Sequence, residues 1–139
     1  MTVKVENAAA FQASIDRLEQ RVGRAMAGAL VAGGQAVRAE AIKSIQSPSA
    51  GRQVTRSRVG GGTYDHVAAA KGQPPNTDTG ALVKSIAVEP QGRDVFVGTS
   101  VEYGRFLEDA NHPWLAPALR DRTDQIRKLV AKAVRSKVK

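Results

Sequence analysis

Two histidines, one pair of adjacent carboxylates, a glycine run and a cluster of arginines are the side chains here with a claim on chemistry. Their spacing limits what each can do. His66 and His112 lie in different loop-like stretches, with no ligand-like spacing around either, so no metal site is expected. Glu108 and Asp109 are neighbours, and adjacent residues on a helix point in different directions. They are expected to form a surface or intersubunit salt bridge rather than an acid/base pair. The glycines 60–62 are not followed by Gly-Lys-Ser/Thr, which leaves flexibility and not a phosphate-binding loop as their reading. No GxSxG nucleophile motif occurs, so a serine triad has no support. The chain has no cysteine, which excludes disulfides and thiolate metal ligation. Neither an enzyme nor a cofactor is expected.

Charge is the next lead. The formal net charge is +8, and it is unevenly placed. Residues 1–119 carry 13 basic and 11 acidic side chains, whereas residues 120–139 carry 8 basic and 2 acidic. Arg52, Arg56 and Arg58 form a second basic cluster, with no acidic residue from Ser47 to Tyr64. Such patches attract polyanions or acidic protein surfaces; a solvated helix face and a loose loop explain them equally well. The N-terminus has no basic patch leading into an apolar run, and no segment approaches the ~20 apolar residues of a membrane span. A soluble intracellular product without a membrane partner is expected.

The positioning elements emerge from periodicity. Thr2 to Glu6 alternates valine with polar residues, a short strand signal, and Asn7 is placed to cap a helix starting at Ala8. From Ala8 to about Gln46, apolar residues including Phe11, Ile15, Leu18, Val22, Met26, Val37 and Ile45 recur every three or four positions. This is one face of a long amphipathic helix. Gly33 and Gly34 weaken it by about 1 kcal/mol each relative to alanine. Either another helix packs closely on the small residues around them or the helix kinks there. Residues 47–79 are the least regular. They read as a mobile arm with weak alternation from Gln53 to Val59, of the kind that orders against a neighbour.

After the arm the pattern tightens. Thr79 is placed to cap a helical turn over Gly80 to Lys84. Ser85–Glu89 and Asp94–Thr99 flank Pro90-Gln91-Gly92-Arg93, a hairpin signature with Ile86, Val88, Val95 and Val97 on its inner face. Glu102–Ala110 reads as a short helix with Tyr103, Phe106 and Leu107 inward. Trp114 stands between Pro113 and Pro117. It is either an interface hot spot or, the favoured reading, a plug seating the last helix on the core. That helix runs from about Pro117 to Val134 or beyond, with Leu119, Ile126, Leu129 and Val130 on its apolar side. The expected fold is α+β: a small antiparallel sheet of three to four strands, packed by the long N-terminal helix and the C-terminal helix. It forms a single domain, with a core of about 2–46 and 79–139 and a flexible arm over about 47–78.

The ordered series over residues 74–120 resembles the neck or tail-completion proteins of long-tailed phages, a head-to-tail joining family related to the minor tail protein Z of phage lambda. Thr79, Gly80, Leu82, Ser85 and Ile86 match its Thr-Gly-x-Leu-x-x-Ser-Ile segment, and Val97, Gly98 and Thr99 match its Gly-Thr-ending strand. Tyr103 and Glu108 match the middle helix. Pro113, Trp114, Leu115, Pro117, Ala118 and Leu119 match the entry to the last helix. Members often follow the glutamate with Gly-Thr, where this chain has Asp109-Ala110-Asn111. The resemblance implies a non-enzymatic virion protein of the head–tail connector, made in the host bacterial cytoplasm. It further implies a homo-oligomeric ring, in the first instance a hexamer, around the DNA passage, with other neck or tail proteins and the genome DNA as partners. The arm would reach a neighbouring subunit or line the channel, with Arg52, Arg56 and Arg58 facing DNA or an acidic partner. The competing reading is a small basic nucleic-acid-binding protein, although no helix-turn-helix, zinc finger or RNA-binding aromatic pair is present.

Overall fold

The three-to-four-residue apolar period of the first forty positions becomes an unbroken helix, α1, over Ala8–Gln46. It is the first element of a computed structural model that describes residues 6–138. The strand expected at Thr2–Glu6 falls, but for Glu6, outside the described residues. Asn7 occupies the position before α1 in a left-handed conformation (φ 58°) and makes no side-chain capping bond.

Beyond α1, the strands β1 (Gln53–Ser57) and β2 (Thr63–Val67) pair antiparallel. A single helical turn, α2 (Ala81–Ser85), leads into β3 (Ile86–Gln91) and its antiparallel partner β4 (Asp94–Thr99). Helix α3 spans Glu102–Asp109, and α4 spans Ala116–Val138. The α+β class is therefore as expected, but the strands differ in arrangement. They form two separate two-stranded sheets among the described residues, and not one sheet of three or four. The β1–β2 hairpin stands apart because its strands are largely polar and exposed, so no apolar face draws it onto β3–β4. Its turn explains the glycine run. Gly60, Gly61 and Gly62 all have positive φ, from 84° to 103°, a region that side chains with a Cβ rarely enter. Arg58 N–H donates to Gly62 O at 2.9 Å to close the loop.

The core forms where α1 meets the rest. Val37, Ala41 and Ile45 of α1 are buried with Leu82, Ile86, Trp114 and Ala118, and Ile126, Val97 and Leu107 pack around them. The glycine pair sets the spacing. A Cβ on Gly33 would lie 2.8 Å from Ile126 Cγ1 of α4, and one on Gly34 would lie 2.8 Å from Val88 Cγ1 and 3.1 Å from Val95 Cγ1 of the β3–β4 hairpin. Close helix packing, rather than a kink, is thus the reason for the small residues. Polar links reinforce the same contacts. Arg38 Nε donates to Ile86 O at 2.7 Å, tying α1 to the start of β3, and Arg122 of α4 hydrogen-bonds and pairs with Glu40 of α1.

This packing has two measurable consequences. Gly34→Val overfills the α1–hairpin contact and is expected to cost about 1–3 kcal/mol in urea unfolding, with part of the loss recovered by adding Val88→Ala. No loss in the single variant would refute the close-approach reading. The hydrogen bond from Arg122 holds the Glu40 carboxyl below the ordinary carboxylate range, helped by the charges of Arg122 and Lys43 and opposed by partial burial. The pair's stabilisation is therefore complete above the unfolded-state value of about 4.3 and lost as pH falls through the lower folded-state value. Wild type should lose its urea-midpoint advantage over Glu40→Gln as pH drops below about 4. A constant difference across that range would count against the coupling.

Candidate interaction site

Glu108 is where the joints of the second half converge. Its Oε2 accepts from the backbone N–H of Trp114 (2.8 Å) and Leu115 (2.9 Å), and its Oε1 from that of Ala116 (2.9 Å). A helix leaves its first N–H groups without internal partners, and its N-terminus favours negative charge. Glu108, on α3, thus caps the start of α4. Pro117, in that first turn, has no N–H to satisfy. The expected salt bridge of Glu108 is replaced by this cap; Asp109 makes the ion pair instead, to Arg105 at 4.0 Å on the exposed surface.

Trp114 locks the same corner. It is only 2 % exposed, and its Nε1–H donates to Gly104 O of α3 at 2.9 Å. Gly104 lies so close to α2 and β4 that a Cβ there would sit 2.5 Å from Thr99 Cγ2 and 3.0 Å from Leu82 Cδ1. Pro113 is half-buried beside the tryptophan. The left-handed Asn111 (φ 66°) makes the bend between α3 and this segment, and its carbonyl accepts from Gly72 N–H at 2.8 Å.

The Thr79–Ser85 segment is a second joint. Gly80, with φ 79°, precedes α2, and Thr79 Oγ1 accepts from Ala81 N–H at 3.3 Å, so the two residues share the helix start expected of Thr79 alone. Leu82 is buried in the core. Ser85 Oγ donates to Leu82 O at 2.8 Å and bonds to the Thr99 hydroxyl, joining the ends of β3 and β4.

The arm is held by residues that periodicity did not single out. The Asn76 side chain accepts from Ser49 N–H (2.9 Å) and donates to Ser49 O (3.0 Å) and Val67 O (2.8 Å), pinning both ends of the β1–β2 segment. Asp78 gathers the hairpin's inner face: Tyr64 OH donates to it at 2.7 Å, Arg56 Nε lies at 3.4 Å and His66 Nδ1 at 3.9 Å. The bond to Asp78 pushes the Tyr64 hydroxyl pKa upward. The Arg58 guanidinium sits 5.7 Å from the centre of the Tyr64 ring, within cation–π range. The structure therefore divides the arginine cluster. Arg56 and Arg58 are engaged within the hairpin, and exposed Arg52 gives its carbonyl to Ala68 N–H at 2.9 Å.

Between this hairpin and α2–α3 lies a cleft of about 460 Å³, lined by His66, Val83, Tyr103, Phe106 and His112 among others. Tyr103 and Phe106 are 45 % and 69 % exposed, which corrects the expectation that they point inward. In a helix of eight residues the buried position is Gly104, and the aromatics are left on the cleft side. Leu119 of α4 is also exposed and not part of the core. The cleft places both histidines on one surface, yet the described residues hold no group of three or more His, Cys, Asp or Glu that could bind a metal ion. Its carboxylate, Asp78, is committed to Tyr64 and Arg56.

Carboxylates, amides and hydroxyls here hold backbone in place, and the class these features define is a small α+β fold built from two long helices and two hairpins. Residues 9–109 match the family described as "Bacteriophage HK97-gp10, putative tail-component", and the chain belongs to this family of phage tail components. The match runs from the start of α1 to the end of α3 and so includes Glu108 but not α4. No curated protein and no solved structure matches the chain. Among the described residues, no helix is long and apolar enough to cross a membrane.

The cap is the measurable heart of this site. Glu108→Ala orphans three amides and is expected to lower stability by about 1–2 kcal/mol. Loss of Trp114 fluorescence protection from acrylamide should accompany it in the native baseline. Glu108→Gln, which keeps an acceptor oxygen, should lose less. A Glu108→Ala protein with unchanged urea midpoint would show that the amides find other partners.

Proposed function

We propose that this tail component is a joint of the head–tail connector region, a neck or tail-completion protein whose subunits close into a ring around the DNA passage. The carrying observation is the family match over residues 9–109, joined with the motif series at 79–119 that resembles the neck or tail-completion proteins of long-tailed phages. The geometry supports it in one respect above all. A polar, exposed hairpin is fastened at its base by Asn76 and along its inner face by Asp78 and carries no core of its own. A lone two-stranded hairpin is marginal in water, so one presented on a fixed base suits contact with a neighbouring subunit. Heterologous contacts that close by rotation generate rings, and the hexamer is the stoichiometry proposed. The virion neck is the proposed location, with adjacent neck or tail proteins and the passing DNA as partners. The stand-alone nucleic-acid-binding reading is weakened, since Arg56 and Arg58 are occupied by Asp78 and Tyr64.

Because Arg52 O and Ala68 N–H already meet at 2.9 Å, residues 53–67 can be replaced by a two-glycine turn that keeps this bond and the Asn76 bonds to Ser49. The shortened protein should keep its helical circular dichroism, fail to form rings in negative stain, and fail to complement a phage lacking the gene. Normal infectious particles from the shortened gene would overturn the assignment of the arm to assembly.

A further inference from the structure

Helix α1 outruns the elements packed on it among the described residues. Its 39 residues span about 58 Å at 1.5 Å each, while the 23 residues of α4 span about 35 Å. The two run antiparallel, with Glu40 beside Arg122 and Gly33 against Ile126. All six buried α1 residues belong to its second half, from Ala29 to Ile45. The first half is nevertheless apolar on one side. Ile15, Leu18, Val22 and Met26 line, with Val134 and Val138 of α4, a groove of about 840 Å³. Phe11, 65 % exposed, continues the apolar strip beyond the groove along α1, and Val138 within it is 58 % exposed.

The rim of the groove has one dominant sign. Arg24 and Arg93 line it, against the single carboxylate of Glu19, and neither arginine is in an ion pair among the described residues. From Arg127 to Val138, α4 carries Arg127, Lys128, Lys132, Arg135 and Lys137 and no acidic residue. Two copies meeting through this face would oppose basic rims, which costs affinity. Duplex DNA would use the charges but leave Phe11, Ile15 and Met26 in water, whereas an exposed apolar strip with a polar rim marks a protein contact. An apolar groove between two helices suits the apolar stripe of a third.

We propose that the groove between the first half of α1 and the end of α4 seats an amphipathic helix of a different protein, apolar on one face and flanked by Asp or Glu. This contact lies outside the β1–β2 hairpin and stands whether or not the subunits form a ring. The probe is a fluorescently labelled amphipathic peptide with leucines at helical spacing and glutamate flanks, beside a twin with lysine flanks, each titrated with the full chain and followed by anisotropy. The glutamate peptide should bind at least about tenfold more tightly than its twin. Ile15→Glu and Met26→Glu should each weaken it by about tenfold or more. The double variant Arg24→Glu/Arg93→Glu, on side chains outside the core, should reduce or reverse the preference with thermal unfolding unchanged. The proposal is overturned if the peptides bind equally or not at all. It is also overturned if Met26→Glu abolishes self-association of the chain while leaving peptide binding intact, or if duplex DNA competes with the peptide for the wild-type protein but not for Met26→Glu.

Discussion

The fold depends on two adjacent glycines in the middle of one long helix. Successive residues on an α-helix point about 100° apart, so Gly33 and Gly34 open two different faces of α1 to close approach. Gly33 admits Ile126 of α4, and Gly34 admits Val88 and Val95 of the β3–β4 hairpin. One short stretch of helix thus becomes the floor on which both other layers rest. The loss of helix propensity, about 1 kcal/mol per glycine, is offset by contact that any side chain would hold apart. It is also why so aliphatic a chain forms a core with one buried tryptophan and no other buried aromatic among the described residues.

Around that floor the polar side chains act on backbone. Glu108 satisfies the start of α4, Asn76 fastens the arm at Ser49 and Val67, and Ser85 and Thr99 close the end of the second hairpin. A buried or half-buried amide without a partner is costly, and elements this short have few ways of satisfying their own ends. The Glu108 carboxylate, which accepts three backbone bonds, is committed to holding the chain. Joints made by hydrogen-bonded carboxylates and amides hold positions.

Much of the architecture was legible in the sequence. The apolar period marked α1 from Ala8 to Gln46, and Pro90-Gln91-Gly92-Arg93 marked the second hairpin, tightened in the structure to a two-residue turn. The β1–β2 pairing was only faintly visible, because polar strands such as QVTRS and TYDHV present no apolar face and so leave no clear hydrophobic alternation. The inward placement of Tyr103, Phe106 and Leu119 failed for a related reason. In a short helix, or at the first turn of a long one, apolar residues can lie on either side of the true contact, and the neighbouring Gly104 and Ala118 lie there instead.

What the sequence determined by itself is local: helix extents, turn positions and the glycines and prolines that turns require, since each is set by dihedral preference and by neighbours a few residues away. Tertiary structure alone decided the long-range partners. That Glu108 reaches the amides of 114–116, that Asp78 collects Arg56, Tyr64 and His66, and that the basic end of α4 borders an apolar groove on α1 are outcomes of distance in space. A carboxylate or an arginine carries no mark of its partner in the residues beside it. Its role is fixed only when packing brings a particular donor, acceptor or charge within a few ångströms.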